Sequence, residues 1–191
     1  MSFRRAAFGV FAAALIAPFV VTASMAAEPA KPDASAATAE QAPKPVIKKF
    51  GVWATRCDLN PKDAKQKECH AFVDIRVEDG KQRILYLGVG YIPKKTDGSM
   101  FIFAVTPLGT ILPPGLGISI DNKTKFGGPF LFCLPMGCQA EAPLTAEQLK
   151  ALKSGKELDV IFKHAGQGDV KVPVKLDGYS KAIADLPKPK A

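Results

Sequence analysis

The chain has 191 residues, of which 47% are hydrophobic and 23% charged, with a formal net charge of +8 at pH 7 and four cysteines. That length suits a single domain with a real core. The positive charge is spread over lysine pairs at Lys48-Lys49, Lys94-Lys95, Lys123/Lys125 and Lys188/Lys190. A nucleic-acid groove needs a dense basic stripe interleaved with aromatics, so nucleic acid is excluded as the expected partner and weak attraction to an anionic membrane surface is the most the charge supports.

The first element is an export signal. Arg4 and Arg5 precede an apolar run from Ala6 to about Val21, and Ala23-Ser24-Met25-Ala26-Ala27 supplies small residues for cleavage. Cleavage after Ala26 gives a signal peptide at 1–26, and cleavage after Ala27 is the neighbouring alternative. No Cys follows the run to carry a lipid. An uncleaved anchor is disfavoured because Pro18 interrupts the apolar stretch. The expected location is the periplasm, with association at the outer membrane or cell surface open, and the formal charge falls from +8 to +6 once Arg4 and Arg5 leave.

Residues 27–49 are rich in Ala, Pro and Lys and are expected to form a disordered tether. A folded β domain is expected at 50–186, followed by a tail at 187–191. Cys69, Ala71, Val73, Ile75 and Val77 alternate with His70, Phe72, Asp74, Arg76 and Glu78, which is strand spacing, and Glu78-Asp79-Gly80-Lys81 reads as a hairpin turn. The returning strand runs from Gln82 to about Tyr91, with Arg83, Leu85, Leu87 and Val89 on one face. After a polar turn at Pro93 to Gly98, the apolar run Met100 to Val105 reads as a buried strand.

Pro107-Leu108-Gly109 and Pro113-Pro114-Gly115 are turns, and Leu116, Ile118 and Ile120 alternate between them and Asp121-Asn122. Phe130 to Cys133 and Cys138 to Ala142 form a strand pair joined at Pro135-Met136-Gly137. Thr145 and Gln148 make a capping box for a short helix at about 146–153, with Leu144 stapling Leu149. Two strands follow, Leu158/Val160/Phe162 and Val170/Val172/Val174/Leu176, and Ser180 to Leu186 reads as a terminal helical turn. The expected fold is mainly β: an antiparallel two-sheet sandwich or partly open barrel of eight or nine strands.

Export also decides how the cysteines are read. Four cysteines allow three pairings. Cys133 and Cys138 flank a tight turn between paired strands, where the Cα separation suits a disulfide, which leaves Cys57 for Cys69 across a polar, Lys-rich loop at Leu59 to Glu68. A zinc site built from these thiols and His70 is disfavoured by the spacing and by an oxidising compartment, so no metal or cofactor is expected.

Catalytic parts are scarce. His70 and His164 are the only histidines, and neither lies in a nucleophile, phosphate-loop or metal motif. Gly88 and Gly90 mimic a fragment of a dinucleotide loop, but no helix follows and close sheet packing or a bulge is the better reading. Trp53, the one tryptophan, and Tyr179 are read as core rather than as exposed anchors. No catalytic residue is expected.

Trp53 and Cys57 followed by Cys69, the Thr106-Pro107-Leu108-Gly109 and Pro114-Gly115-Leu116 turns, Ile118-Ser119-Ile120-Asp121, Phe130-Leu131-Phe132-Cys133 with Gly137-Cys138-Gln139-Ala140, and Leu176-Asp177-Gly178-Tyr179 with Ala182 form one arrangement. It resembles the invasion-associated locus B family over about Phe50 to Leu186. The resemblance implies a β-rich exported envelope protein of Gram-negative bacteria, in a family named for members linked to host-cell entry, and brings no catalytic residues. The implied activity is binding of another protein or an envelope component, without chemistry, in host-cell interaction. The alternative is a general envelope-maintenance or assembly factor with no host role. The residues specify no oligomeric state.

Protein recovered from the exporting cell is therefore expected to begin at Ala27 and to contain no alkylatable thiol, as checked by intact mass with and without reduction. Replacing either cysteine pair by alanine is expected to lower unfolding free energy by roughly 2–3 kcal/mol in urea titrations.

Overall fold

The computed structural model describes residues 44–60 and 63–189. The signal peptide expected at 1–26, the tether up to residue 43 and residues 190 and 191 lie outside the described residues. Along the described chain come β1 (Val46–Phe50), β2 (Trp53–Asn60), β3 (Asp63–Arg76), β4 (Arg83–Tyr91), β5 (Met100–Thr106), β6 (Thr110–Ile111), β7 (Leu116–Ile120), β8 (Thr124–Gly128), β9 (Phe130–Leu134), β10 (Gly137–Leu144), α1 (Ala146–Ser154), β11 (Glu157–His164), β12 (Gly168–Lys175) and α2 (Tyr179–Asp185). They build two antiparallel sheets. The large sheet runs β1-β2-β3-β4-β5-β10-β9 and the small one β12-β11-β7-β8, with β6 also on β11.

The sheets remain an open sandwich and do not close into a barrel. Their facing sides share one core, in which Leu85, Leu87, Val89 and Ile102 of the large sheet join Ile118, Leu158, Val160 and Val174 of the small one. These are the period-2 apolar positions, and the two faces of each strand separate accordingly. The Thr106-Pro107-Leu108-Gly109 turn carries the chain from one sheet to the other. Thr106 and Thr110 are buried there with their hydroxyls 2.8 Å apart, and Thr110 donates to the Pro107 carbonyl. On the far side Gly127, Gly128 and Pro129 let the chain pass from β8 to β9 and so change sheets again. A Cβ on Gly128 would lie 2.1 Å from the Glu141 carbonyl oxygen.

Several expected boundaries move. β1 begins at Val46, four residues inside the segment expected to be tether, because its backbone pairs with β2 from Val46↔Cys57 to Phe50↔Trp53. The loop expected at Leu59 to Glu68 is instead the end of a long hairpin, with Asp58↔Glu68 and Leu59↔Lys67 paired. Strand β8 was absent from the expected pattern, since its two glycines carry no apolar alternation. Two helices form, not one. The capping box of α1 is present, with Gln148 N–H donating to Thr145 Oγ1 and Thr145 N–H to Gln148 Oε1, and the terminal turn is a full α2.

The first and last elements of the described domain meet in a clamp that spans both sheets. The buried Trp53 of β2 donates its indole N–H to the Lys175 carbonyl at the end of β12, 2.9 Å away. Tyr179, also fully buried, meets the Trp53 ring edge-on with centroids 5.0 Å apart. Gly178 makes this approach possible: its φ is 87°, and a Cβ there would sit 1.6 Å from the Phe50 carbonyl oxygen. Asp185 of α2 completes the clamp by accepting from Lys48 of β1 at 2.8 Å and Thr55 of β2 at 3.0 Å.

Trp53→Phe replaces the buried indole by a smaller ring and removes the donor, leaving a void and an unpaired Lys175 carbonyl. The unpaired carbonyl alone is expected to cost about 1–3 kcal/mol, and the void adds to it. Gly178→Ala must move backbone as well as adopt a left-handed conformation, and is expected to cost more than Trp53→Phe. Urea unfolding followed by circular dichroism checks both.

Candidate functional site

Alternation leaves the large sheet with a second face, turned away from the core. Pairing registers set its residues in rows across the strands. Ala54, Phe72, Gly88, Phe103 and Glu141 form one, and Arg56, His70, Gly90, Phe101 and Pro143 the next. A third comprises Asp74, Tyr86, Val105, Gln139 and Phe132. The apolar run of β5, expected to be buried throughout, is therefore split: Met100, Ile102 and Ala104 enter the core, while Phe101 and Phe103 stay half-buried on this outer face.

Gly88 and Gly90 are the floor of the face. A Cβ on Gly88 would come within 2.2 Å of the Phe103 ring, so the ring lies where a side chain would otherwise stand. Aromatics then pack on one another around this floor. Phe72 stacks on Tyr86 with centroids 5.1 Å apart and planes 17° apart, and Phe101 stacks on Phe103 at 5.6 Å. His70 sits between the two stacks, 5.3 Å from Phe103 and 5.9 Å from Tyr86, with its Nε2 2.7 Å from the Tyr86 hydroxyl.

Ion pairs flank the rings. Arg56 donates to Asp58 at 2.8 Å, and Arg83 holds Asp74 through two bonds of 2.8 and 3.1 Å. The Arg83 guanidinium also lies 5.0 Å from the Tyr86 ring centre. Arg83 was expected on the same face as Leu85, Leu87 and Val89. A register shift between Ile75 and Arg76 overturns that alternation and lets its guanidinium reach Asp74. The Arg56 hydrogen bond holds the Asp58 carboxyl below the usual range. Burial pushes Asp74 up, and the bonds from Arg83 and Arg76 outweigh it, so its net shift is downward. Burial also lowers His70 and pushes Tyr86 up to about 12. The His70–Tyr86 pair is accordingly neutral, a contact between an uncharged imidazole and an intact phenol.

The face continues into an open cleft of about 720 Å³ lined from β3, β5, β10 and the turn after β4. His70, Phe101 and Phe103 form its apolar side, Gln139 and Glu141 its polar side, and Lys94 and Lys188 contribute to its lining. Among the described residues no three metal-ligating side chains converge.

The residues singled out from the sequence are dispersed. Cys57 is bonded to Cys69 across β2 and β3, and Cys133 to Cys138 across β9 and β10. β4 and β5 separate the two staples in the sheet. His164 is a loop clamp: Nδ1 accepts from the Gly166 N–H at 3.1 Å, which leaves Nε2 to donate to the Leu108 carbonyl at 3.0 Å. Trp53 and Tyr179 are core. Only His70, Gly88 and Gly90 reach the aromatic face. Phe72, Tyr86, Phe101 and Phe103 were missed, although Gly88-x-Gly90 and Phe101-x-Phe103 are a matched pair in sequence once Gly88↔Phe103 and Gly90↔Phe101 are set opposite.

The molecule is thus a disulfide-stapled antiparallel sandwich that exposes an aromatic sheet face. Residues 53–187 match the family model described as Invasion associated locus B (IalB) protein, well over half of the chain, and the chain belongs to that family. It is 31% identical over 90 residues to two proteins named invasion protein B homolog, from Brucella abortus strain 2308 and biovar 1 strain 9-941. These alignments cover 47% of this chain and 50% of each relative, so the chain spans about half the length of the curated relatives it matches. The crystal structure of invasion associated protein b from Bartonella henselae superposes with a TM-score of 0.61 over 72% of this chain and 92% of that one. At 20% identity this likeness shows a shared fold.

The depressed His70 pKa has a consequence for stability. The unfolded chain takes up a proton near the ordinary value of 6.5, whereas the folded face holds the ring neutral to lower pH. The resulting stabilisation is complete above that value and is lost as pH falls through it toward the folded pKa. Lowering pH from about 7.5 to about 5.5 is expected to reduce the urea midpoint of the wild type, and His70→Gln to flatten that dependence.

Proposed function

We propose that this chain is an exported envelope protein that works by contact, and that the aromatic face of its large sheet is the contact surface. The observation that carries the reading is the partly buried group of Phe72, Tyr86, Phe101, Phe103 and His70, built outside the core with Gly88 beneath the Phe103 ring. A sheet face that only needed solubility would carry polar residues at these alternate positions. Aromatic rings on a rigid sheet offer large apolar area with little side-chain entropy to lose, the property of interface anchors. The flanking arginines and carboxylates are already paired with one another, which suits a surface that orients a mixed apolar and polar partner.

The partner is another protein or an envelope component, met in the periplasm after signal cleavage or at the outer surface. The names of the Brucella and Bartonella relatives support a contribution to host-cell interaction. Envelope maintenance with no host role would use the same face on a different partner.

Photo-crosslinking in intact cells tests the surface. A benzophenone side chain placed at Phe72 or Phe103 is expected to capture a discrete partner, while one at Ile161, exposed on the small sheet, captures none. Equal or absent capture from both faces overturns the assignment. In a deletion strain, impaired host-cell entry with intact growth and detergent resistance supports the host role, and detergent sensitivity without a host supports maintenance.

A further inference from the structure

Among the described residues, each sheet of the sandwich ends in two strands with a neighbour on one side only, β1 and β9 in the large sheet, β12 and β8 in the small. An unpaired edge presents N–H and C=O groups to any other strand, and folded proteins blunt such edges with charges, proline or glycine-rich irregularity. Three of the four edges obey. β1 carries Lys48 and Lys49, β8 carries Lys125 followed by Gly127 and Gly128, and β12 carries Asp169, Lys171, Pro173 and Lys175.

β9 does not. From Phe130 to Cys138 no residue is charged. Leu131, Phe132 and Leu134 are 52%, 44% and 50% exposed, and Met136 at the turn is 68% exposed. The Cys133–Cys138 bond staples this strand to β10, so it is held in place as an edge. The Cα atoms of that pair are 3.9 Å apart, the close spacing of a non-hydrogen-bonded pair, which directs the Cys133 N–H and C=O off the sheet toward solvent.

We propose that β9 pairs antiparallel with β9 of a second copy of this chain, joining two seven-stranded sheets across a two-fold axis. A strand that meets its own copy must be self-complementary. β9 satisfies this because it brings only apolar side chains together, whereas β1, β8 or β12 would set lysines of one copy near lysines of the other. The charge of the whole chain points the same way. Two molecules that each keep a net charge of +6 after Arg4 and Arg5 leave repel over most of their surfaces, and the uncharged β9 edge is where an approach meets least repulsion. A charged partner strand, by contrast, finds no counter-charge on β9. In the dimer Phe132, which shares its row with Gln139 and Val105, continues the outer face of one copy into that of the other.

Sedimentation equilibrium on protein recovered from the exporting cell, with its disulfides oxidised, is the test. The wild type is expected to pass from monomer to dimer as concentration rises. Phe132→Lys is expected to remain monomeric with an unchanged circular dichroism spectrum, and Ile161→Lys on the small sheet to dimerise like the wild type. Should the Phe132→Lys chain fail to fold, hydrogen exchange on the wild type decides: outward amides of β9 are expected to slow with rising concentration while those of β12 do not. A wild type that stays monomeric at millimolar concentration, a dimer that persists in folded Phe132→Lys, or β9 exchange indifferent to concentration overturns the proposal.

Discussion

The architecture depends on one approach, that of the C-terminal Gly178-Tyr179 step to the β1–β2 turn. The small sheet ends at Lys175, and its carbonyl accepts the indole proton of Trp53 from the large sheet. Tyr179 then closes the core against the indole edge. The approach tolerates no Cβ, because Gly178 lies directly on the Phe50 carbonyl, and the left-handed backbone it requires is costly for other residues. With β1 and α2 tied at this point and the β8–β9 crossing on the far side, the described residues seal the two inner faces without covering the outer face of the large sheet.

That uncovered face is where the fold departs from a plain sandwich. Polar residues would keep it soluble, yet it carries stacked aromatics with a neutral His70–Tyr86 contact in their midst. The glycine floor tells against accidental exposure. Gly88 and Gly90 weaken a strand by their backbone freedom, and here the Phe103 ring of β5 takes the space of a Gly88 side chain. The ion pair with Asp74 at the margin holds the Arg83 guanidinium over the Tyr86 ring. Stability and display are thus coupled on one surface, and truncating a ring affects both.

The edges extend the same logic to assembly. Lysines, proline and glycine guard three strand edges, and the exception is the strand whose backbone a disulfide holds fixed. The exposed apolar residues of β9 adjoin the aromatic face through the Gln139–Phe132 row, so the proposed contact between copies and the proposed partner surface would be neighbours.

The sequence by itself determined the alternation of β3, β7 and β12, the capping box at Thr145 and Gln148, the core placement of Trp53 and Tyr179, and the family, because each is a local pattern or a spacing. The strand count, β1 inside the expected tether, the long β2–β3 hairpin and the inward or outward turn of Arg83 were not legible. They depend on which backbone finds a partner at which register, and periodicity does not carry that information. Only the tertiary structure decided that Phe101 and Phe103 stand opposite Gly90 and Gly88 on the outer face, since an apolar run reads the same whether both of its sides are covered or one. The physical reason is that a β-strand's two faces are defined by what packs on them, and what packs on them comes from distant parts of the chain.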